Sequence, residues 1–311
     1  MRMNKPKVSV VLTCYKYAQF LPFALDSVLG QTYGNVEAVM VNDGSPDNTD
    51  EVMQRYRSDP RVKYINQKNA GQAVAKNNGI RNATGEYIAF LDADDIWALD
   101  KLEKQMPLFA DPEVGVVFGR VSYIDDKNEP VYFKEDGSRV FLKPQQGWIT
   151  QALLLDNFVP FSGCVVRREC FDKVGLLDES YRMGIDWDIW LRMSVHYKFA
   201  MVDAVVLRYR VGHAGQMSKN LDQREVDTML IMQRFIAANP GLLPKKLVRL
   251  AMTYTYCNRG YRYRPLSVRK SVQNYLRAIQ QHWLCWDAYT GIAKTFIYAA
   301  LVPFGLVPRQ K

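Results

Sequence analysis

The chain has 311 residues, 48% of them hydrophobic and 23% charged, which excludes a disordered or low-complexity protein and allows a sizeable buried core. Five cysteines, an odd number with no CxxC pair, argue against a disulfide framework or a cysteine zinc site and fit a reducing, cytosolic compartment. The formal charge of +9 is unevenly spread: Pro240–Lys311 holds 12 Lys+Arg against one acid, Asp287, while the rest holds 29 basic and 31 acidic residues. That asymmetry points to a basic tail meeting an anionic surface, membrane or nucleic acid. No run reaches the ~18 to 20 apolar residues of a membrane span. The basic start lacks a small-residue cleavage site, so it reads as the lead into a strand rather than a signal peptide.

In chain order, Val8–Thr13 is an apolar run of strand length, and Leu21, Ala24, Leu25, Val28 and Leu29 recur at helical spacing. Val36–Val41 is a second strand, Glu51–Tyr56 a second helix, Val62–Asn66 a third strand, Ala73–Ala83 a third helix and Glu86–Leu91 a fourth strand. Alternation in units of this size predicts an α/β fold, a mostly parallel sheet covered by helices on both faces. Further on, Val116–Ile124 and Cys164–Arg167 read as strands, Pro130–Phe133 and Val140–Leu142 as a hairpin, and Ile149–Leu155 and Asp186–Val195 as helices. From Asp222 the pattern is helical, with one helix through Met232, a second through Tyr254 closed by Gly260, and a third over Val268–Ile279. The expected organisation is an α/β domain over residues 1–215 and a basic helical region over 216–311 with a terminal amphipathic segment.

Open parallel sheets bind ligands beyond the carboxyl ends of their strands. Four segments lie there or open a later helix: Thr13-Cys14-Tyr15, Asn42-Asp43-Gly44-Ser45, Asp92-Ala93-Asp94-Asp95 and Ile185-Asp186-Trp187-Asp188. A DxD set at a strand end suits a hard divalent cation, which would hold a diphosphate. The plainer alternatives are helix capping by Asp94 and Asp95 ahead of Ile96-Trp97, a turn pair at Asp43-Gly44, and capping by Asp186. With three histidines, His196, His213 and His282, a His-rich zinc site is not expected.

Taken together, VSVVLTCYKYAQFLPFALDSVLGQTY, VNDGSPDNTDEV and NAGQAVAKNNGIRNATGEYIAFLDADD closely resemble glycosyltransferase family 2, the inverting nucleotide-sugar transferases of GT-A fold. The resemblance runs over about residues 6–215. It implies that Thr13 and Tyr15 line the nucleotide pocket, and that Asp43 hydrogen-bonds the base, usually uracil. It further implies that Asp92 contacts the ribose or supports the metal, that Asp94 ligates Mn²⁺ or Mg²⁺, and that Asp186 is the general base. His213, in Tyr209-Arg210-Val211-Gly212-His213, resembles the family's YRxH element with one extra residue, which would bring it to the metal or diphosphate. Two positions depart from the pattern. Lys76 stands where an arginine usually reaches the nucleotide, and Ile185 replaces the acid before the base, leaving Asp188 as the alternative register. Trp190 reads as core and Trp187 as a ring that could stack on a sugar.

The implied reaction moves a sugar from a nucleotide-sugar donor, expected to be a UDP-sugar, to a hydroxyl of a glycan or lipid-linked glycan. A nucleotidyltransferase shares the acidic ligands but wants a glycine-rich loop after the first strand, and VLTCYKYAQF has no glycine. A catalytically idle nucleotide-sugar-binding subunit is the other alternative. In the tail, basic residues interleave with Tyr254, Tyr256, Tyr261, Tyr263 and Tyr275, and the apolar end GIAKTFIYAALVPFGLVPRQK is too interrupted to span a bilayer. The expectation is a peripheral contact with an anionic membrane on its cytoplasmic face, with packing or a homodimer as the alternative and nucleic acid disfavoured.

Overall fold

The computed structural model describes residues 5–132, 143–213, 215 and 220–304. They divide into two compact units, one formed by residues 5–132, 143–150 and 158–231, the other by 151–157 and 232–304. The first half of the chain supplies β1 (Val8–Cys14), α1 (Leu21–Leu29), β2 (Val36–Asn42), α2 (Thr49–Met53), β3 (Val62–Asn66), α3 (Gln72–Asn82), β4 (Tyr87–Asp92), β5 (Ile96–Trp97), α4 (Lys101–Gln105), β6 (Val114–Ile124) and β7 (Pro130–Val131). Then follow α5 (Thr150–Leu155), β8 (Val165–Arg167), α6 (Arg168–Val174), α7 (Ile185–Ser194), β9 (Lys198–Arg210), α8 (Leu221–Ala238), α9 (Lys245–Tyr263), α10 (Val268–Gln281) and α11 (Trp286–Leu301).

The sheet runs β3-β2-β1-β4-β8-β6-β9-β5, with β7 on β6. Its first four strands are parallel; β1, β2 and β4 are apolar runs buried on both faces, while the edge strand β3 is only partly buried. β1 is the centre of this half, because β2 lies on one side of it and β4 on the other; the strand order reverses there, and a crevice opens past their carboxyl ends. The register places Thr13 opposite Asp92 and Cys14 opposite Asn42. Val10, Leu12, Leu25, Met40, Leu91 and Trp97 are among the side chains of one continuous core.

Some elements differ from the sequence expectation. Ile96–Trp97 is a strand paired with β9, so Asp94 and Asp95 cap no helix. α7 is capped at Gly184, so Asp186 sits in its first turn instead of capping it. β9, 13 residues long, has no counterpart in the sequence reading; its register against β6 is broken by bulges, which blurs the alternation that marks a strand. Of the hairpin, Pro130–Val131 pairs with β6, and Phe133 and Val140–Leu142 lie outside the described residues.

In the helical unit α9, α10 and α11 pack around Tyr275, Ala278 and Ala288. Gly260 does not end a helix: α9 continues through it to Tyr263. A side chain there would have its Cβ 2.8 Å from the Tyr275 ring, and one at Gly291 on α11 would come closer still. Both glycines are present because the tyrosine occupies the space between the helices. Ser267 caps α10, its hydroxyl accepting the Lys270 N–H at 3.3 Å.

Candidate active site

At the end of β1 and β4, Lys76 of α3 donates to the Thr13 hydroxyl at 3.0 Å and forms an ion pair with Asp92. Lys76 is fully buried, and its ammonium also lies 5.0 Å from the centre of the Phe161 ring. It thus forms the wall behind Asp92, whose side chain remains 27% exposed. An arginine would need room for a planar fork here; an ammonium fits as a point charge.

Asp43, at the end of β2, is buried and accepts from the Ala70 and Gly71 backbone N–H groups, each at 2.9 Å, and from the amides of Gln67 and Asn69 at 2.8 and 3.2 Å. Its carboxylate therefore pins the loop over residues 67–71 to β2. Asp47 does the same for the loop after β1, accepting from the Ala18 N–H at 3.0 Å and from Ser45 and Thr49. Burial opposes the charge on Asp47, yet the hydrogen bonds of Ser45, Thr49 and Ala18 hold its carboxyl below the usual range. Lys16 on that loop adopts φ 64, a costly backbone for a side-chain-bearing residue, and its N–H donates to Ser45 at 2.8 Å. Tyr15 beside it is 40% exposed.

Past β4, Asp94 Oδ2 lies 3.1 Å from Nε2 of His213, although 119 residues separate the two in the chain. The imidazole is held edge-on by Tyr17 and Phe20, at centroid distances of 5.3 and 5.4 Å. Arg210, almost wholly buried, secures this corner: its Nε donates to the Asp94 carbonyl at 2.8 Å and its backbone N–H to Asp95 at 3.0 Å. The second carboxylate oxygen of Asp95, Oδ2, is buried without a hydrogen-bond partner among the described residues. Burial, with the charges of Asp94 and Asp92, pushes the Asp95 carboxyl well up. Carboxylates crowded in this way favour a cation beside them.

Asp186 is half-buried in the first turn of α7. Asp188 is committed elsewhere, paired with Arg192 at 2.7 and 3.0 Å, while Arg192 also donates to the carbonyls of Val174 and Leu176. The alternative register is thus taken up by a structural ion pair. The segment before α7 is anchored twice. Asn77, next to Lys76, exchanges hydrogen bonds with the Leu177 backbone at 2.9 and 3.0 Å. Asp227 of α8 accepts the Arg182 and Met183 N–H groups at 3.2 and 2.8 Å. Burial raises the Cys164 thiol, and Lys101 opposes this.

A family model described as Glycosyl transferase family 2 matches residues 9–175. The chain belongs to that family. An uncharacterized glycosyltransferase of Nostoc sp. is 34% identical over 209 residues, 64% of this chain and 61% of that protein. One of Rickettsia typhi is 30% identical over 228 residues, 71% of this chain and 69% of that protein. The chain therefore matches about 61% of the length of the Nostoc relative. Among solved structures, the Pyrobaculum calidifontis mannosyltransferase PcManGT, in complex with GDP-Man and Mn²⁺, aligns at TM-score 0.63 and 20% identity over 97% of this chain and 80% of that one. S. aureus TarS 1–349 with UDP-GlcNAc aligns at TM-score 0.65 and 14% identity over 97% and 93%. At these identities the likeness is one of fold, the GT-A arrangement of a mostly parallel sheet with helices.

Within this family 2 chain, Thr13, Lys76 and Asp92 come together, as do Asp94 and His213. Among the described residues, no group of three or more His, Cys, Asp or Glu side chains could hold a metal. Asp94 and His213 could hold a divalent cation if a diphosphate and water supplied its other ligands. Trp187, only 6% exposed, presents no ring for stacking on a sugar; like Trp190 it is core. Sequence reading missed Tyr17, Asp47, Asn77, Arg210 and Asp227. The cue available for Arg210 was its place in the YRxH-like element; the others carry none, since their role depends on partners distant in sequence.

Proposed function

We propose that this chain is an inverting glycosyltransferase that moves a sugar from a UDP-sugar to a hydroxyl of a glycan or lipid-linked glycan, with Mn²⁺ or Mg²⁺. The observation that carries the reading is the meeting of Asp92, Asp94 and His213 at the end of β4, beside Thr13 and Lys76. PcManGT and TarS, which share the fold, bind GDP-Man with Mn²⁺ and UDP-GlcNAc.

In this mechanism Thr13 and Tyr15 line the nucleotide pocket, and Asp43 takes the base N–H in exchange for one of its side-chain amide donors, Gln67 or Asn69. Asp92, held by Lys76, receives the ribose. Asp94 and His213 would hold the cation, which offsets the charge of the leaving diphosphate. Asp186 accepts the proton of the acceptor hydroxyl as it attacks the anomeric carbon. One displacement inverts that carbon, so no covalent nucleophile is required. Asn77 and Asp227 keep the Asp186 turn in place. The basic tail brings the enzyme to an anionic membrane on its cytoplasmic face, where a lipid-linked acceptor resides. Among the described residues no helix is long and apolar enough to cross a membrane.

A thermal-shift screen of nucleotides and nucleotide sugars with and without Mn²⁺, followed by donor hydrolysis and transfer assays, tests the reading. A metal-dependent shift with a uridine diphosphate donor and measurable turnover are expected. A shift with neither hydrolysis nor transfer would identify an idle binding subunit instead.

A further inference from the structure

α11 is built inside out. Its buried positions are small: Ala288, Gly291 and Thr295. They face α10, where the Thr295 and Ser271 hydroxyls lie 2.9 Å apart and Tyr275 fills the space beside Gly291. Its bulky apolar side chains point the other way. Trp286 is 74% exposed, Tyr289 44%, Phe296 56% and Ile297 58%, and Phe304 in the turn that follows is 77% exposed. The spacing of three, ten and eleven residues puts Tyr289, Phe296 and Ile297 on one helical face with Trp286, about 17 Å long at 1.5 Å per residue, and Phe304 follows in the next turn. A helix in contact only with water would reverse this arrangement, because exposed bulky apolar surface is costly.

The charge of the region decides what covers the face. Pro240–Lys311 carries 12 basic residues against one acid, and Arg269, Lys270 and Arg277 of α10 are exposed. A second copy would set two such tails against each other, like charge on like. An anionic bilayer complements the charge while its interface accepts the aromatic side chains, since Trp and Tyr favour the headgroup level. We infer that the outward face of α11, from Trp286 to Phe304, is the surface by which the protein lies on an anionic lipid membrane. This rests on the membrane reading given above, which it deepens, and is independent of the transfer chemistry.

The test is flotation of the full-length protein with vesicles of phosphatidylglycerol and phosphatidylcholine, against phosphatidylcholine alone. Binding to the anionic vesicles is expected, with a blue shift of tryptophan emission. The double variant Phe296→Glu/Ile297→Glu should bind at least about tenfold more weakly while its far-ultraviolet circular dichroism and its thermal shift with UDP-sugar stay as in the parent. Trp286→Glu, at the other end of the face, should weaken binding in the same direction. Parent protein that ignores anionic vesicles overturns the inference, as do well-folded variants that bind as the parent does. So does a parent dimer, seen by sedimentation, that the double variant dissociates in the absence of vesicle binding. Vesicle binding by a protein that shows no UDP-sugar shift supports the surface while counting against the donor reading.

Discussion

In the sheet-bearing unit the interior is filled by large side chains: Phe90, Trp97, Phe118 and Trp190 are wholly buried, and so are the side chains of Lys76 and Lys101. In the helical unit the contact surface is Gly260, Ala278, Ala288 and Gly291 around one tyrosine, with bulky apolar residues left outside. The first unit encloses charge and uses it to place other groups: Lys76 holds Asp92, and Arg210 holds the turn of Asp94 and Asp95. The second unit buries Arg259 but leaves Lys245, Lys246, Arg249, Arg269, Lys270, Arg277 and Lys294 exposed. A net charge of +9 therefore describes neither unit.

The sharpest way to break this comparison is at α7. Asp186→Asn should lower kcat by about 10²–10⁴-fold with donor affinity retained, as loss of a general base requires. Asp188→Asn should instead cost about 3 kcal/mol of stability, read by denaturant melts, because it leaves Arg192 without its buried partner. If Asp188→Asn abolishes transfer in a folded protein and Asp186→Asn does not, the base has been misassigned.

Lys101 tests the burial of charge in the first unit. Its ammonium lies 4.0 Å from the centre of the Trp97 ring, and burial pushes its pKa down to about 7. Between that value and an ordinary lysine value near 10.5, the unfolded chain is protonated and the native one is not. Stability should therefore rise with pH across this window, by about 4–5 kcal/mol at most. Lys101→Met should flatten the slope; an unchanged slope in thermal melts from about pH 7 to 10 would place the cation in contact with water.

In the helical unit Gly291→Val should cost about 2 kcal/mol, since the new side chain overlaps Tyr275, and should leave the UDP-sugar thermal shift intact. A valine variant as stable as the parent would mean that α10 and α11 are not packed through this tyrosine. Smaller still, Asp47→Asn should weaken donor binding severalfold by loosening the loop around Lys16, at a cost in stability of about 1–2 kcal/mol. Equilibrium titration with the nucleotide checks it.

The parallel half of the sheet is legible because β1, β2 and β4 are short apolar runs, each followed by a turn, and the carboxylates at those ends announce themselves: Asp43, Asp92 and Asp94. β9 is hidden by its bulges and by a burial pattern that does not alternate. Gly260 reads as a helix stop on conformational grounds, whereas it serves close packing, which depends on Tyr275 fifteen residues away. Lys76 is expected at the nucleotide, and its burial behind Asp92 becomes visible only once Thr13 and Asp92 are side by side. Asn77 and Asp227 look like ordinary helix residues, because their partners are backbone groups 100 and 44 residues away.

The contact between Arg210 and Asp95 spans 115 residues. During synthesis at about 5–20 residues per second, the strands that carry Asp43 and Asp92 precede Arg210 by roughly 6 to 30 s. On the proposed function, a nascent chain would possess the nucleoside-binding residues Asp43 and Asp92 before the corner that Arg210 secures exists. Its affinity for a free nucleoside and for the nucleoside diphosphate should mature at different times on the ribosome.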